Sequence, residues 1–401
     1  MSAAPTAKRT VIVAGGGIGG MAAAIGLSRA GCKVTVLERA AEFGEIGAGI
    51  QLGPNVFHAL KTLGVAERTL ENAVYIDKLI MMDGMTGDKV AEIPVDAPFR
   101  EHFRNPYAVI HRADLHAPLH AVNVADPDVT LLPRHEVTGF VKRAGRVEVH
   151  TANGASFTGD ALVGCDGVRS KVREAIVGDG DPKVSGHIAY RAVLPIEEMP
   201  ADLRWNAACL WAGPKCHMVH YPLRGWKLFN IVATFHHPSR TTEGHNEPGD
   251  RDELLSYFVH LPAKPRSILE KSRNWRRWVL VDREPVGNWS DGNVTLLGDA
   301  AHPTLQYFAQ GACMAIEDAV TLMHEVTASP DDLGGAFRRY QDRRITRTAR
   351  IVLSSRELGR LYHAAGVERL VRNEILGGKT PADFYRSLDW IYGYGRDAAG
   401  P

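Results

Sequence analysis

Three glycines and one acid near the N-terminus have the types and spacing to bind a charged ligand through the backbone. Residues 11–14 are an apolar run typical of a buried strand, and Gly15, Gly17 and Gly20 follow it in a Gly-x-Gly-x-x-Gly pattern. Glycines at these positions permit a tight turn, a close approach to a pyrophosphate and close packing of the next helix. Glu38 ends a second predicted strand, where a carboxylate accepts hydrogen bonds from ribose hydroxyls. The segment therefore predicts a dinucleotide-binding unit.

Two later segments also place an acid beside a glycine at the end of an apolar run. They are Asp166-Gly167 and Gly298-Asp299, and a long amphipathic helix is predicted from Gly311. The carboxylate of Asp299 can only accept hydrogen bonds, so it suits a ligand group that offers donors. The positive end of a helix beginning at Gly311 would stabilise a negative charge. Residues 42–53 are glycine-rich and are interpreted as a loop forming a second wall of the cofactor site.

Together these three segments resemble the class A flavin-dependent aromatic hydroxylases, and the resemblance runs from about residue 10 to beyond residue 330. It implies non-covalent FAD, NADH or NADPH as a transient reductant, and molecular oxygen as a co-substrate. It also implies that a flavin hydroperoxide attacks an electron-rich aromatic ring. The cofactor-binding residues that follow from the pattern and the resemblance are Gly15, Gly17, Gly20, Glu38, Arg39, Arg112, Asp166, Asp299, Gly311 and Ala312.

A base is needed near the substrate phenol, because electrophilic attack is favoured when the phenol loses its proton. His217 and Tyr221 stand four apart on a predicted strand and share one face, while Cys216 and His220 lie on the other. We predict His217 as the base, since histidine holds or passes on a proton near neutral pH. The resemblance adds Gln306 as a catalytic partner on the phenolic oxygen, in a position where many relatives have proline.

The resemblance also places Tyr107 and Tyr221 in the substrate pocket. Residues 216–225, 282–285 and 305–312 are most similar to members that hydroxylate 3-hydroxybenzoate para to its hydroxyl group, giving 2,5-dihydroxybenzoate (gentisate). Two alternatives share the cofactor motifs: a decarboxylating salicylate 1-hydroxylase and a hydroxynicotinate hydroxylase. An alternative of another class is an oxygen-independent flavin reductase or a flavin-bound interaction protein. The group that binds the substrate carboxylate is not evident from the sequence.

The 401 residues and 45% hydrophobic content suffice for two interleaved domains. We predict an α/β fold in which a Rossmann-like FAD-binding domain is interleaved with a mixed β-sheet substrate domain, followed by C-terminal helices. The FAD-binding domain is assigned to residues 1–76, 104–183 and 284–334, and the substrate domain to residues 77–103 and 184–283. Residues 335–401 form the C-terminal helical segment.

Composition excludes several partners. The formal charge of +1 offers no basic surface for nucleic acid or a membrane, and no apolar run is long enough to span a bilayer. The five cysteines are scattered and form no Cys-x-x-Cys pair, which favours a cytoplasmic protein without a disulfide framework or a metal site. Aromatic residues Tyr385, Trp390, Tyr392 and Tyr394 are interpreted as a cap or an oligomer contact, and a homodimer is expected.

Overall fold

The computed structural model describes residues 8–44, 49–238 and 245–396. Part of the predicted glycine-rich wall, residues 45–48, lies outside the described residues, as do both chain ends.

The strands in chain order are β1 Thr10–Ala14, β2 Lys33–Leu37, β3 Gly49–Leu52, β4 Val74–Tyr75, β5 Lys78–Asp83, β6 Lys89–Pro94, β7 Ala108–His111, β8 Val129–Leu132, β9 Val137–Arg143, β10 Arg146–Thr151, β11 Ser156–Gly159, β12 Ala161–Gly164, β13 Lys183–Pro195, β14 Ala207–Gly213, β15 Cys216–Leu223, β16 Leu228–His236, β17 His245–Pro248, β18 Arg276–Asp282, β19 Ser290–Asp291 and β20 Val294–Leu296.

The α-helices are α1 Ile18–Arg29, α2 Pro54–Thr62, α3 Ala66–Leu70, α4 Ala97–Phe103, α5 Arg112–Ala125, α6 Lys171–Ile176, α7 Arg251–Tyr257, α8 Ala263–Lys271, α9 Gly311–Ala328, α10 Leu333–Tyr362, α11 Gly366–Gly377 and α12 Pro381–Tyr392. Short 3-10 turns cover Ala201–Leu203, Gly298–Ala300 and Gln306–Phe308.

A six-stranded sheet carries the predicted nucleotide unit. Its order is β19-β20-β12-β1-β2-β8, and every pair is parallel except the edge pair of β19 with β20. Most strand residues of this sheet are apolar and buried, as expected for a largely parallel sheet that is covered on both faces. Helix α1 packs against α5 and α9, and their buried side chains join the sheet in one hydrophobic core. The carboxyl ends of the parallel strands therefore meet at one edge, where open α/β sheets bind ligands.

An eight-stranded sheet forms the second part, in the order β17-β18-β13-β16-β15-β14-β5-β6. It is antiparallel apart from the parallel pairing of β14 with β5. Alternate residues on one face build a separate apolar core with helices α7 and α8. The opposite face packs against β7, α9 and α12, and it carries most of the polar residues considered below.

The α/β prediction with interleaved parts and C-terminal helices is confirmed. The strands between residues 77 and 103, together with those between 184 and 283, make up the eight-stranded sheet. The domain boundaries themselves stay predictions. Tyr385 and Tyr392 are buried in α12 against Phe99 and Phe103. These two aromatic residues are therefore part of a cap on the fold. Within the described residues, no helix has the length and apolarity needed to cross a membrane.

Candidate active site

The glycine-rich turn lies at the carboxyl end of β1, in the middle of the six-stranded sheet. Gly15 has a φ of 103°, and a Cβ atom on it would lie 2.4 Å from the carbonyl oxygen of Cys165. A Cβ atom on Gly20 would lie 1.9 Å from the carbonyl oxygen of Gly15. Gly17 is the N-cap of α1, so the unpaired N–H groups of the first helical turn open beside it. Backbone donors next to a helix N-terminus are suited to a pyrophosphate.

Glu38 follows β2 and organises this turn. Its carboxylate accepts hydrogen bonds from the backbone N–H of Gly16 at 2.7 Å and of Ala40 at 2.8 Å. Because a carboxylate has about four lone-pair positions, these two bonds leave acceptor capacity for a ligand. Arg39 is exposed at the same end of β2. The ribose contact predicted for Glu38 and the role predicted for Arg39 stay predictions.

Asp299 is an exposed carboxylate between two buried neighbours, Gly298 and Ala300, just beyond β20. Helix α9 begins at Gly311, and a Cβ atom on Gly311 would lie 3.8 Å from Oδ1 of Asp299. Gly311 and Ala312 are half-buried although the helix that follows is largely buried. The structure therefore brings Asp299 together with the N-terminus of α9, and neither group is fully buried.

A buried ionic cluster fixes the loop that carries Asp299. Asp318 accepts hydrogen bonds from the Gly298 backbone N–H at 3.1 Å and from Nε of Arg344 at 2.6 Å, and Nε2 of His302 lies 2.6 Å from it. Burial alone would raise the pKa of Asp318, but His302 and Arg344 hold the pKa at about 2. The carboxylate therefore stays charged and ties the loop to α9 and α10.

The carboxylate of Asp166 is hydrogen-bonded to residues that follow it closely in the chain. It accepts hydrogen bonds from the Ser170 hydroxyl and from the backbone N–H groups of Lys171 and Val172, so it supports the start of α6, whose N-cap is Ser170. Burial raises the pKa of Asp166. The backbone at Asp166 lies against Gly15, so its predicted cofactor contact would come from this segment of chain. Arg112 is the first residue of α5 and is half-buried.

These groups fit FAD. The turn at Gly15 and Gly20 has no room for a Cβ atom, which leaves a backbone surface for the diphosphate. Asp299 offers an accessible acceptor for the ribityl hydroxyls, and the N-terminus of α9 offers N–H groups for the anionic edge of the reduced ring.

Predicted catalytic and substrate-binding residues lie on the inner face of the eight-stranded sheet. His217 of β15 lies directly opposite Thr234 of β16, and Tyr221 lies opposite Asn230. His217 and Tyr221 share this face as predicted, while Cys216 belongs to the core on the other face. Strand alternation explains both positions, because successive side chains of a strand point to opposite sides.

Gln306 reaches the same face from the loop between β20 and α9. Its amide oxygen accepts a hydrogen bond from Arg191 at 2.7 Å, and its amide nitrogen donates to the Thr234 hydroxyl at 2.7 Å. Since Thr234 is the cross-strand neighbour of His217, the structure brings Gln306 and His217 to one place. An amide can form four hydrogen bonds, so one N–H and one lone pair of Gln306 remain for a phenolic oxygen.

Tyr107 and Tyr221 belong to one hydrophobic cluster beside this face. The Tyr107 hydroxyl donates to Oε1 of Gln51 at 2.7 Å. The ring of Tyr221 packs on Gly49, where a Cβ atom would lie 2.5 Å from the ring carbon Cε2. Burial raises the pKa of both phenols, which therefore remain donors. The end of the glycine-rich segment thus contacts the two predicted substrate tyrosines.

His217 is only 2% exposed, and its Nδ1 lies 2.7 Å from Nε2 of His363. Burial lowers the pKa of His217 from 6.5 to about 3, with a smaller contribution from His187. Burial disfavours the charged ring, so of the two predicted roles, holding the phenolic proton or passing it on, this environment favours the second. The assignment of His217 as the base stays a prediction, and it requires that the proton be passed on.

Arg191 of β13 is a residue that sequence reasoning missed. Its guanidinium donates to Gln306 and lies over the ring of Trp278 at 5.3 Å. Among the described residues no ion pair of Arg191 with a carboxylate is found, and its Nε is buried without a hydrogen-bond partner. The pKa of Arg191 is lowered, mainly by burial. Arg112 also lowers this pKa, whereas Tyr221 acts in the opposite direction. Strand alternation could have pointed to Arg191, because His187 and Arg191 stand four apart on β13 and therefore share a face.

Comparison with known proteins gives a consistent result. Residues 8–351 match the family model described as FAD binding domain. The chain is 51% identical over 386 residues to 3-hydroxybenzoate 6-hydroxylase from Klebsiella oxytoca, covering 96% of this chain and 97% of that protein. The chain belongs to the FAD-dependent aromatic hydroxylases. It is a flavoprotein monooxygenase, similar in sequence to 3-hydroxybenzoate 6-hydroxylase.

Solved structures agree in fold. The structure of a salicylate hydroxylase substrate complex superimposes with a TM-score of 0.82 at 25% identity, covering 98% of this chain and 97% of that chain. HpxO from Klebsiella pneumoniae, complexed with FAD and uric acid, superimposes with a TM-score of 0.82 at 24% identity, covering 96% of this chain and 97% of that chain. The FAD-dependent hydroxylase fold is therefore shared over nearly the full length.

Proposed function

We propose that this chain hydroxylates 3-hydroxybenzoate at the ring carbon para to the hydroxyl group and forms 2,5-dihydroxybenzoate. One NADH or NADPH and one O2 are consumed; one oxygen atom enters the ring and the other leaves as water. The observation that carries the proposal is the convergence of Gln306, Thr234 and His217 on one sheet face beside Arg191. The 51% identity to a 3-hydroxybenzoate 6-hydroxylase supports the choice of substrate.

Bound FAD would be reduced by a transiently bound nicotinamide and would supply the chemistry that activates O2. The residues that would hold it are those of the glycine turn, Asp299 and the N-terminus of α9, as their geometry fits the cofactor. These groups lie on the six-stranded sheet, whereas the polar substrate groups come from the eight-stranded sheet and the Gln306 turn. The aromatic ring would therefore be held between the two sheets.

His217 and Gln306 orient and activate the phenol. Gln306 uses its remaining N–H to donate to the phenolic oxygen, and His217 accepts the phenolic proton at Nε2. A phenolate pushes electron density to the ring carbons ortho and para to it, and the para carbon is position 6 of 3-hydroxybenzoate. The residues of this chain thus select the site of attack by fixing the oxygen.

Arg191 is the candidate partner for the substrate carboxylate. Arg191 is half-buried, its Nε is buried without a hydrogen-bond partner, and no anionic partner for it is found among the described residues; a charge removed from water without a partner is costly. A bound carboxylate would supply the missing anion and accept charge-assisted hydrogen bonds from the guanidinium. Tyr107 and Tyr221 would border the ring on the same side.

The experiment is product identification. The holoenzyme, with NADH and oxygen, is incubated with 3-hydroxybenzoate, salicylate and 6-hydroxynicotinate, and oxygen uptake, CO2 and aromatic products are measured. Formation of 2,5-dihydroxybenzoate with stoichiometric oxygen uptake supports the proposal. Release of CO2 from salicylate at a higher rate would favour the decarboxylating alternative, and NADH oxidation without oxygen uptake would favour a reductase.

We also propose a homodimer formed through α11. This helix is inverted: Arg369 and Arg372 face the protein, bonded to Asp83 and to main-chain carbonyls, while its apolar side faces solvent. That apolar side is well exposed, with Val367 at 74%, and consists of Val367, Leu370, Val371 and Ile375. Contiguous exposed apolar patches mark interaction sites.

A second copy of the chain is the occupant that fits this stripe. Positions i, i+3, i+4 and i+8 of a helix form a continuous ridge, which can pack on its own copy across a twofold axis. The exposed charges beside it are Glu368 and Glu374, which would repel an anionic lipid surface. Sedimentation of the Leu370→Glu variant should show monomers; an unchanged dimer would place the interface elsewhere.

The five unpaired cysteines are consistent with the cytoplasm as the proposed location.

A further inference from the structure

A row of histidines leads from the buried His217 to the protein surface. His363, the residue after α10, lies with its ring centroid 5.0 Å from that of His217. His187 of β13 follows at 4.8 Å from His363, and His236 of β16 at 5.5 Å from His187. His217 is buried, His363 and His187 are half-buried, and His236 is exposed. Exposure therefore rises from one end of the row to the other.

The first contact in the row is a hydrogen bond between two imidazoles. Nδ1 of His217 and Nε2 of His363 are 2.7 Å apart, so one nitrogen carries a proton and the other a lone pair. If His217 donates through Nδ1, its Nε2 keeps the lone pair that a base needs. His363 then carries its own proton on Nδ1, which is buried and has no hydrogen-bond partner among the described residues.

The surroundings disfavour a charged imidazole at His217. Burial is the main cause, and no carboxylate of the described residues forms an ion pair with it. The other titratable groups packed on the pair are Tyr307 and Tyr362, whose pKa values are raised by burial. The Tyr307 hydroxyl lies 2.8 Å from Nδ1 of His187. Since none of these groups supplies a negative charge, a proton that reached His217 would have to move on.

We propose that His363 is a positioning residue that fixes the Nδ1–H tautomer of His217 and carries the phenolic proton away toward His187 and His236. The inference rests on the proposed function of His217. The phenolic O–H bond breaks, its electron pair stays on oxygen, and an N–H bond forms at Nε2 of His217. At the same time the Nδ1–H bond of His217 breaks and an N–H bond forms at Nε2 of His363. Because Nδ1 of His363 has no hydrogen-bond partner among the described residues, its proton leaves to a water molecule that enters between His363 and His187 and exchanges with solvent near His236, so neither ring stays charged.

The test compares His363→Asn, His363→Ala and His217→Asn with the parent holoenzyme. His260→Asn is the control, since His260 lies against Cys216 on the opposite face of the sheet. Each variant is loaded with FAD, and the phenol pKa of a bound nitro-substituted 3-hydroxybenzoate is titrated by its phenolate absorbance. Flavin reduction, the hydroxylation step, its pH dependence and its solvent isotope effect are measured in parallel.

With His363→Asn, we expect hydroxylation at neutral pH to fall about 100-fold, the typical contribution of one acid–base group. The bound phenol pKa should rise, the rate should recover as pH rises, and flavin reduction should be unchanged. Added imidazole should restore the His363→Ala variant roughly tenfold by replacing the missing ring. The His260→Asn control should behave as the parent.

Two results would overturn the inference, and they are distinguishable. If His217→Asn loses hydroxylation while His363→Asn keeps the parent rate, pH profile and phenol titration, His217 is the base but the relay is wrong. If both variants keep the parent behaviour, the proposed function of His217 is wrong as well. Loss of FAD in His363→Ala would leave the Asn variant to decide, because Asn retains a polar group in that place.

Discussion

The two sheets offer a ligand different kinds of group. The six-stranded sheet presents mainly backbone groups, at glycines such as Gly15 and Gly20 that have no room for a Cβ atom. The eight-stranded sheet presents side chains that strand register places together, as with His217 opposite Thr234. A motif in sequence can specify the first kind of site, whereas the second arises only once strands pair. Substitutions at the glycines of the first region should accordingly abolish cofactor binding, whereas substitutions in the second region should lower substrate binding or turnover by graded amounts.

The largest effect is expected from Gly20→Val. A Cβ atom at this position would lie 1.9 Å from the carbonyl oxygen of Gly15, so the turn and α1 must move apart. The pyrophosphate cradle would be lost, and the purified variant should contain little or no FAD. Flavin absorbance per chain measures this directly. Gly139→Ala is the matched control, because a Cβ atom there meets nothing within 4 Å; full FAD content in Gly20→Val would contradict the assignment of the turn.

A smaller effect is expected from Arg191→Met. Loss of a charge-assisted hydrogen bond to the substrate should weaken 3-hydroxybenzoate binding about 10- to 100-fold, corresponding to about 1.5–3 kcal/mol. The neutral analogue 3-hydroxybenzamide should lose far less. Titration of the flavin spectrum gives both dissociation constants, with Arg277→Met of the neighbouring strand as control. Equal losses for acid and amide would show that Arg191 does not contact the carboxylate.

The third prediction concerns the coupling of Gln306 and His217. Both are expected to act on one phenolic oxygen, and they are linked through Thr234. The double variant Gln306→Leu, His217→Asn should therefore lose less activity than the product of the single losses. Turnover of the three variants decides the matter. Strictly multiplicative losses would mean that the residues act on different targets.

The smallest effect is expected on the pH dependence of the free energy of unfolding. Burial is the main cause that lowers the pKa of His187 to about 4 and of His217 to about 3, while an unfolded histidine titrates near 6.5. Below pH 6.5 the unfolded chain binds protons that the native chain does not, so stability falls as the pH decreases from there toward 4. Such a histidine costs about 2 kcal/mol at pH 5. Urea unfolding should show this loss, and His187→Asn should reduce it; an unchanged pH dependence would contradict the burial argument.

Sequence and structure agree most closely where local chemistry decides. The turn at Gly15, the start of α9 at Gly311 and the shared face of His217 and Tyr221 follow from glycine geometry, helix signals and strand alternation. Each of these features depends on residues within a few positions of one another. The resemblance to the family supplied Gln306, whose place opposite the sheet no local pattern shows.

What the sequence could not predict depends on contacts between distant segments. His363 is 146 residues from His217, and Arg191 is 115 residues from Gln306. The depressed pKa of His217 is a property of its burial, which no motif encodes. The inverted orientation of α11 was missed for the same reason, because Asp83 is 286 residues away from Arg369.

The partition of oxygen between product and peroxide in His217→Asn tests the central claim most directly. Hydrogen peroxide and 2,5-dihydroxybenzoate are quantified per NADH consumed, with His220→Asn as control, since buried His220 accepts a hydrogen bond from Trp211 and faces away from the site. We predict that flavin reduction survives, that product falls about 100- to 10,000-fold, and that hydrogen peroxide accounts for the NADH. A His217→Asn enzyme that stays fully coupled at the parent turnover would show that His217 is a structural residue and that the base lies elsewhere.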